Sequence, residues 1–326
     1  IFAMAESIVV LTIARAIIGL GFAGGLMSGF KAVVIWVPEP RRALANAWVM
    51  STGALGLLIA TAPMEMAVQS VGWRWAFIGL AVTTLAVAAL IFFAVPERAA
   101  PRSMTSLRQE IGEVGKIYRD PVFLAMAPLL ALTAGSHIAI QTLWLGPWLR
   151  DVAGLDRGDT AYGLFVMASA FFVGILFTGA VADWFARRGV SLLHVMMGFI
   201  AVFLASQALL FLDMRELDLV LWSIFSMTGQ VAILAYPWLA RYFGARLSGR
   251  ATTAMNLLMF LAAFAVQYAI GAIIDTYPPS APGKYDPAAY RLAFGAVLAV
   301  QLATLVWYMA NSRRLREAER ASVPAS

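Results

Sequence analysis

The chain contains no cysteine and only 2 histidines among its 326 residues. The lack of cysteine excludes disulfides, thiolate metal sites, iron–sulfur clusters and cysteine nucleophiles. Two histidines leave little for metal binding, so we expect no metal and no cofactor. Charged residues are also scarce, at 13% against about 25% in soluble domains, whereas hydrophobic residues make up 61%. A soluble chain of this kind would expose large apolar patches, so the composition predicts a protein whose solvent is a lipid bilayer.

The hydrophobic residues are gathered in nine long runs. Crossing about 30 Å of hydrocarbon takes roughly 20 apolar residues, and a crossing segment must satisfy its own backbone hydrogen bonds. The runs therefore predict an all-α integral membrane protein. The nine predicted spans cover residues 8–36, 43–68, 75–95, 122–149, 162–181, 192–212, 217–239, 251–274 and 290–309.

The basic residues fall mainly in alternate loops. About two thirds of the 24 lysines and arginines lie in one set of loops, which includes the C-terminal tail. The positive-inside rule assigns that set to the cytoplasm. Because the cations are spread over short loops rather than over one soluble face, the net charge of +6 does not indicate nucleic-acid binding. We expect a multi-pass protein of the inner membrane with a cytoplasmic C-terminus.

The longest cytoplasmic connection, residues 96–121, divides the spans into groups of three and six. Apolar residues recur in it at steps of three and four, which predicts a short amphipathic helix on the membrane surface. These residues are Met104, Leu107, Ile111, Val114 and Tyr118. A solvated linker with accidental periodicity is the alternative. The predicted domains are residues 1–95, the linker 96–121, a second group of spans over 122–310, and a tail over 311–326.

Two motifs contain charged residues at informative positions. In the first span, Arg15 is followed by small residues in the pattern Leu-x3-Arg-x3-Gly-x-Gly-x-Ala over residues 11–23. An arginine within hydrocarbon is expensive and faces protein or water, and the alternative role for Arg15 is to cap neighbouring carbonyls. After the fifth span, Asp183 precedes Arg187 and Arg188. This spacing predicts a charge-assisted latch between two helices, and ordinary positive-inside arginines are the alternative.

With these motifs the chain resembles the major facilitator superfamily of secondary transporters. Residues 15–23 are similar to the family's fourth-helix motif, residues 179–189 to the loop motif after the second helix of each half, and residues 72–77 to the entry into helix six. The first two give the same helix numbering. The resemblance implies an MFS-type helical bundle in which helices four to twelve are visible, nine spans of an expected twelve. It also implies that helices one to three are missing and that the full-length protein is a monomer.

The resemblance implies a central cavity lined by helices one, four, seven and ten, with binding near the midplane. In helix seven, His137, Gln141 and Trp144 share one α-helical face. Hydrogen bonding between helices is the alternative role for these side chains. The candidate solute-binding residues are Arg15, His137, Gln141, Trp144, Gln230, Tyr236, Asn256 and Gln267, and the candidate gating residues are Asp183, Arg187 and Arg188.

The predicted function is transport of a small anionic or polar organic solute by alternating access. Cationic residues in the spans and the lack of a mid-span carboxylate favour this class of solute. Coupling to a proton would rest on His137, the residue type that titrates nearest neutral pH, or on the missing helices. A transport-inactive sensor or receptor on the same fold is the alternative. A membrane-embedded enzyme would need acidic metal-binding pairs or a histidine beside an acid, and the sequence offers neither.

Overall fold

The computed structural model describes residues 1–38, 41–95, 107–210 and 217–321. It is built from α-helices, and no named β-strand occurs within those ranges. The helices in chain order are α1 (Ile8–Phe22), α2 (Gly25–Trp36), α3 (Arg42–Ile59), α4 (Ala62–Val71), α5 (Trp73–Ala94), α6 (Leu107–Arg119), α7 (Pro121–Ala139), α8 (Leu145–Asp151), α9 (Arg157–Ala186), α10 (Leu192–Leu210), α11 (Asp218–Thr228), α12 (Ala235–Ile274), α13 (Pro287–Ala310) and α14 (Ser312–Ala321). The chain separates into two compact units, Ile1–Ser103 and Met104–Ser326.

The first unit contains α1 to α5 and shows where apolar runs are interrupted. The first predicted span is divided between α1 and α2, which are separated by Ala23 and Gly24. The second is divided between α3 and α4, whose apolar parts are bent by 45°. Pro63 occupies the first turn of α4, where its missing N–H needs no partner, and it cannot donate a bond back to α3. Among the described helices of this unit, α5, with 22 residues, is the one long and apolar enough to cross a membrane by itself.

Six helices in the described ranges are long and apolar enough to cross a membrane, or seven if the bent pair is one span. The first and seventh predicted spans instead fall on shorter apolar helices, α1 and α11. Both are followed closely by an interruption of the helix. The count of nine spans therefore stays a prediction, whereas the all-helical architecture is present.

The loop predicted between the seventh and eighth spans differs from the structure. Residues 240–250 are helical except at Gly244, where φ is 70° and ψ is 169°. This φ lies in a region that glycine adopts without a steric penalty. Gly244 therefore divides α12 into a segment that continues the seventh predicted span and a long segment that forms the eighth.

Glycines allow the helices of the second unit to approach closely. A Cβ atom added at Gly135 in α7 would lie 2.6 Å from the Ala262 Cβ of α12. One added at Gly174 in α9 would lie 2.3 Å from the carbonyl oxygen of Met227 in α11. Small residues at such crossings let backbones meet in a bilayer, where packing rather than the hydrophobic effect holds helices together.

The linker helix α6 and the tail helix α14 both pack on the second unit. Ile117 of α6 is fully buried, and the Tyr118 hydroxyl donates to the Ala254 carbonyl of α12 at 3.1 Å. Leu315 of α14 is 1% exposed. The beginning of the predicted linker, including Met104, lies outside the described residues.

Candidate functional site

The helix that contains His137 changes its hydrogen-bonding pattern one residue after α7 ends. Residues Ile140–Trp144 form a π-helical turn that leads directly into α8. A π turn adds a residue per turn and rotates the following side chains by about 100° relative to an α-helix. His137, Gln141 and Trp144 therefore do not share the regular face that the sequence spacing indicates. Such turns occur often at functional sites.

His137 lies inside the second unit and is 2% exposed. Its ring stacks on Phe171 with centroids 5.5 Å apart and lies 5.4 Å from the Phe225 ring. A Cβ atom added at Gly229 would come within 2.1 Å of the His137 Cδ2 atom. Within the described part of the chain, no hydrogen-bond partner lies in bonding geometry at either ring nitrogen. His137 thus packs among aromatic rings and against the backbone of Gly229.

The second irregular helix lies beside His137. α11 ends at Thr228, and a 3-10 turn over Val231–Leu234 precedes α12. Gly229 and Gln230 separate the two elements, and Gln230 is half-buried. Since the π turn begins three residues after His137, which is about 4.5 Å along a helix, both irregular segments lie at the same level of the unit.

Polar side chains connect the π turn to α12. The Trp144 indole N–H donates to the Gln267 carbonyl oxygen at 3.2 Å, and the Gln267 side-chain amide donates to Thr142 Oγ1 at 3.2 Å. Trp144 is 8% exposed, whereas Gln267 is half-buried and Thr142 is exposed. The sequence analysis missed Thr142, although it directly follows Gln141.

A second polar pair spans two segments of α12. The Tyr236 hydroxyl donates to Asn256 Oδ1 at 3.2 Å, and both residues are half-buried. Gln141 is also half-buried, and its side-chain oxygen has no donor among the described residues. The structure therefore joins Trp144 to Gln267 and Tyr236 to Asn256, and it leaves the Gln141 side-chain oxygen without a donor near the π turn.

Arg15 belongs to the first unit. It is exposed on α1, and its guanidinium carbon lies 5.9 Å from the centroid of the Phe2 ring. Arg15 and Phe2 both belong to the first unit, so this contact joins α1 to the segment just before it.

The residues of the predicted latch are exposed at the end of α9. The Arg188 guanidinium lies over the Trp184 ring, 3.3 Å from its centroid, and donates to the Trp184 carbonyl. The backbone N–H of Arg187 donates to the Asp183 carbonyl oxygen at 3.1 Å. The Asp183 carboxylate has no ion pair in the parts of the chain that the structure describes. The latch stays a prediction.

The sequence analysis also missed an ion-pair cluster between α6 and α12. The Glu113 carboxylate accepts hydrogen bonds from Arg246 at 2.5 Å and from Arg250. The bond from Arg246 is the main cause that holds the pKa of Glu113 below its usual value, with the charge of Arg250 adding to it. This cluster ties the linker helix to the segment of α12 beyond Gly244.

Comparison with known proteins was made for sequence and for structure. The family model described as Major Facilitator Superfamily matches residues 1–267. A probable sulfoacetate transporter of Cupriavidus necator is 24% identical over 198 residues, which cover 56% of this chain and 46% of that protein. A D-galactonate transporter of Escherichia coli O6:H1 is 28% identical over 204 residues, 55% and 46% of the two chains. The chain spans about half the length of these curated relatives.

Solved structures of a bacterial homolog of the human lysosomal transporter Spinster share the fold. Its inward-facing, unoccupied form aligns with a TM-score of 0.62 at 16% identity, covering 99% of this chain and 81% of that one. The occupied form aligns with a TM-score of 0.66 at 18% identity, covering 97% and 80%. The matches are to transporters and not to enzymes, and together with the apolar helices they identify a multi-pass membrane protein.

Proposed function

The chain belongs to the Major Facilitator Superfamily, and we propose that the protein containing it moves a small anionic or polar organic solute across the inner membrane by alternating access. In this proposal the nine apolar runs are helices four to twelve of twelve. The segments 1–95 and 122–310 are parts of the two halves, the linker 96–121 contains a membrane-surface helix, and the tail 311–326 is cytoplasmic. The named substrates of the two curated relatives, sulfoacetate and D-galactonate, are both small organic anions.

The adjacent irregular segments are the observation that carries this proposal. Transporters bind solutes where membrane helices are interrupted near the midplane, because backbone groups freed there can face a ligand or water. In the second unit the π turn begins three residues after His137, and the break after α11 begins at Gly229, which packs against the His137 ring. Half-buried amides accompany both, namely Gln141 at the π turn and Gln230 at the break.

We assign the solute contacts accordingly. The polar groups beside the two irregular segments provide donors and acceptors for hydroxyl and carboxylate groups, and Trp144 provides an indole wall. The proposed contacts in the second unit are Gln141, Trp144, Gln230, Tyr236, Asn256 and Gln267. His137 supports them from inside the unit through its contact with Gly229. In the first unit we propose Arg15, because a cation in a span is stable only when it faces protein, water or an opposite charge.

The proposed gate consists of Asp183, Arg187 and Arg188. Here the Asp183 carboxylate is exposed and Arg188 rests on Trp184. In the proposal, the latch forms in a conformation that brings other groups to the end of α9. In that conformation Arg188 would leave the Trp184 ring and form a charge-assisted hydrogen bond within the latch. This bond would stabilise the conformation.

The test is uptake of labelled D-galactonate and sulfoacetate by the full-length protein in proteoliposomes, with and without an imposed proton gradient. We expect saturable uptake that other small organic anions compete for and that a neutral sugar does not. A gradient-dependent rate would establish proton coupling. Binding of either anion without uptake would support the sensor alternative, and neither binding nor uptake would contradict the proposed solute class.

The residue-level test compares two glutamines. Gln267→Leu removes the side-chain amide that the proposal places against the solute. A lost hydrogen bond to a charged ligand costs about 1.5–3 kcal/mol, so we expect kcat/KM for uptake to fall at least about tenfold. Gln69→Leu is the matched control, because Gln69 is exposed and its side-chain amide donates to Glu65 of the same helix. Equal effects of the two substitutions would remove Gln267 from the site.

A further inference from the structure

The tail helix α14 is a folded and anchored element. It follows α13 after Asn311 and packs against α7. Leu315 is buried in the second unit, and the Ser191 hydroxyl donates to Glu319 Oε2 at 2.5 Å. These contacts fix which face of α14 is turned toward the protein and which is exposed.

Three arginines form a ridge on the exposed side of α14. Arg313, Arg316 and Arg320 are spaced at three and seven residues, so they lie within about 60° of one another around the helix. The centre of this ridge lies more than about 120° from Leu315 by the same geometry. Arg313 pairs with Glu317. Arg316 and Arg320 are exposed and have no ion pair within the described residues.

An exposed apolar band lies immediately before this ridge. Val306, Trp307 and Met309 at the end of α13 are 66%, 51% and 61% exposed. Arg313 follows Met309 by four positions, across the end of α13 at Asn311, so their Cα atoms lie within about 14 Å of each other. The polar headgroup region beyond the hydrocarbon core is about 5–7 Å thick on each side. The arginine ridge therefore begins close enough to the apolar band for its cations to reach the headgroup layer.

We propose that the exposed face of α14 is a preformed binding surface for anionic phospholipid, with Arg316 and Arg320 contacting headgroup phosphates. Three observations carry it: the unpaired cations, the buried Leu315 that holds the helix in place, and the apolar band at acyl-chain level. Basic segments next to a membrane helix attract anionic lipid by roughly fivefold in affinity per residue. Because the helix is already folded, binding incurs no ordering cost. The proposal is independent of the solute.

The first experiment measures phosphatidylglycerol and phosphatidylcholine binding to the full-length protein in detergent by native mass spectrometry. We expect tighter binding of phosphatidylglycerol, and the double variant Arg316→Gln/Arg320→Gln should weaken it by roughly 20- to 30-fold. Arg150→Gln/Arg291→Gln is the matched control, since both arginines are exposed and unpaired in the described structure but lie on other helices. Equal losses in the two double variants would overturn the proposal.

The second experiment uses the natural lack of cysteine. A fluorophore on Ala321→Cys, at the exposed end of α14, should shift to shorter wavelength in phosphatidylglycerol nanodiscs but not in phosphatidylcholine nanodiscs. The shift should shrink in 0.5 M salt and in the Arg316→Gln/Arg320→Gln background. A shift independent of lipid charge would overturn the proposal. A competition with polyglutamate tests the other possible ligand. If polyglutamate binds α14 and phosphatidylglycerol vesicles do not displace it, the surface recognises an acidic polypeptide and the proposal is overturned.

Discussion

Replacement of Gly229 by alanine tests the contact that joins the two irregular helices. Gly229 has φ of −64°, which alanine adopts without strain, so the effect is steric. The new Cβ would lie 2.1 Å from the His137 Cδ2, whereas carbon atoms in contact lie about 3.5–4.0 Å apart. The new Cβ atom and the His137 Cδ2 atom must therefore move apart by about 1.5 Å. The His137 ring is held by Phe171 and Phe225, so we expect a destabilisation of about 2–3 kcal/mol, within the range for overpacking.

The assay is reversible unfolding of the full-length protein in mixed micelles, supported by the midpoint of thermal unfolding. Gly198→Ala is the matched control, because a Cβ there meets nothing within 4 Å, and it should be neutral or stabilising by up to about 1 kcal/mol. His137→Ala alone should destabilise, but in the Gly229→Ala background it should cost less, because the methyl group occupies part of the space. Additivity within about 0.5 kcal/mol would refute the contact.

Three further predictions concern other polar contacts. Hydrogen bonding by Arg246 lowers the pKa of Glu113. The pair therefore stabilises the protein above the ordinary carboxyl pKa of 4.5, and this stabilisation is lost as the pH falls through the lowered pKa. In Glu113→Gln, the midpoint of thermal unfolding should depend less on pH across that acidic range. Gln207 donates to Gln301 at 3.0 Å in the interior, so Gln207→Leu should cost about 1–3 kcal/mol of unfolding free energy and the double Leu variant less than twice that. Asp183→Asn should slow proteoliposome uptake with little loss of expression, and an unchanged rate would exclude the latch.

The sequence predicts the long helices because hydropathy alone determines them. The runs that became α5, α10 and α13 have nothing polar enough to interrupt a span. The interruptions are a different matter. The π turn at Ile140–Trp144 consists of residues typical of any membrane helix. The sequence pattern of apolar side chains is the same whether a backbone N–H bonds the fourth or the fifth preceding carbonyl, so it does not predict the π turn. Gly244 is decisive only through its positive φ, and most glycines in the chain remain helical.

The candidate site divides in the same way. Polarity within apolar runs was enough to select Tyr236, Asn256 and Gln267 one by one. Their partners depend on tertiary structure, since Trp144 reaches Gln267 across 123 positions of sequence. The sequence does not indicate Thr142, because a threonine hydroxyl in a membrane helix commonly donates to the carbonyl four residues before it. Thr142 does donate to the Ile138 carbonyl at 2.6 Å. Its second role, as acceptor from Gln267, exists only in the fold.

In the proposed alternating access, the second unit would deform where deformation costs least, and the unit differs along its length in this respect. Where Gly135 meets Ala262, the two helices leave no room for even one added Cβ atom, and such a close-packed crossing resists deformation. Just after Gly229 and at the π turn the regular α-helical hydrogen bonds are already interrupted, so a change of φ and ψ there costs little. His137 contacts the first of these segments and directly precedes the second. We therefore expect such a deformation to fall on these two segments, which lie beside the half-buried Gln141 and Gln230.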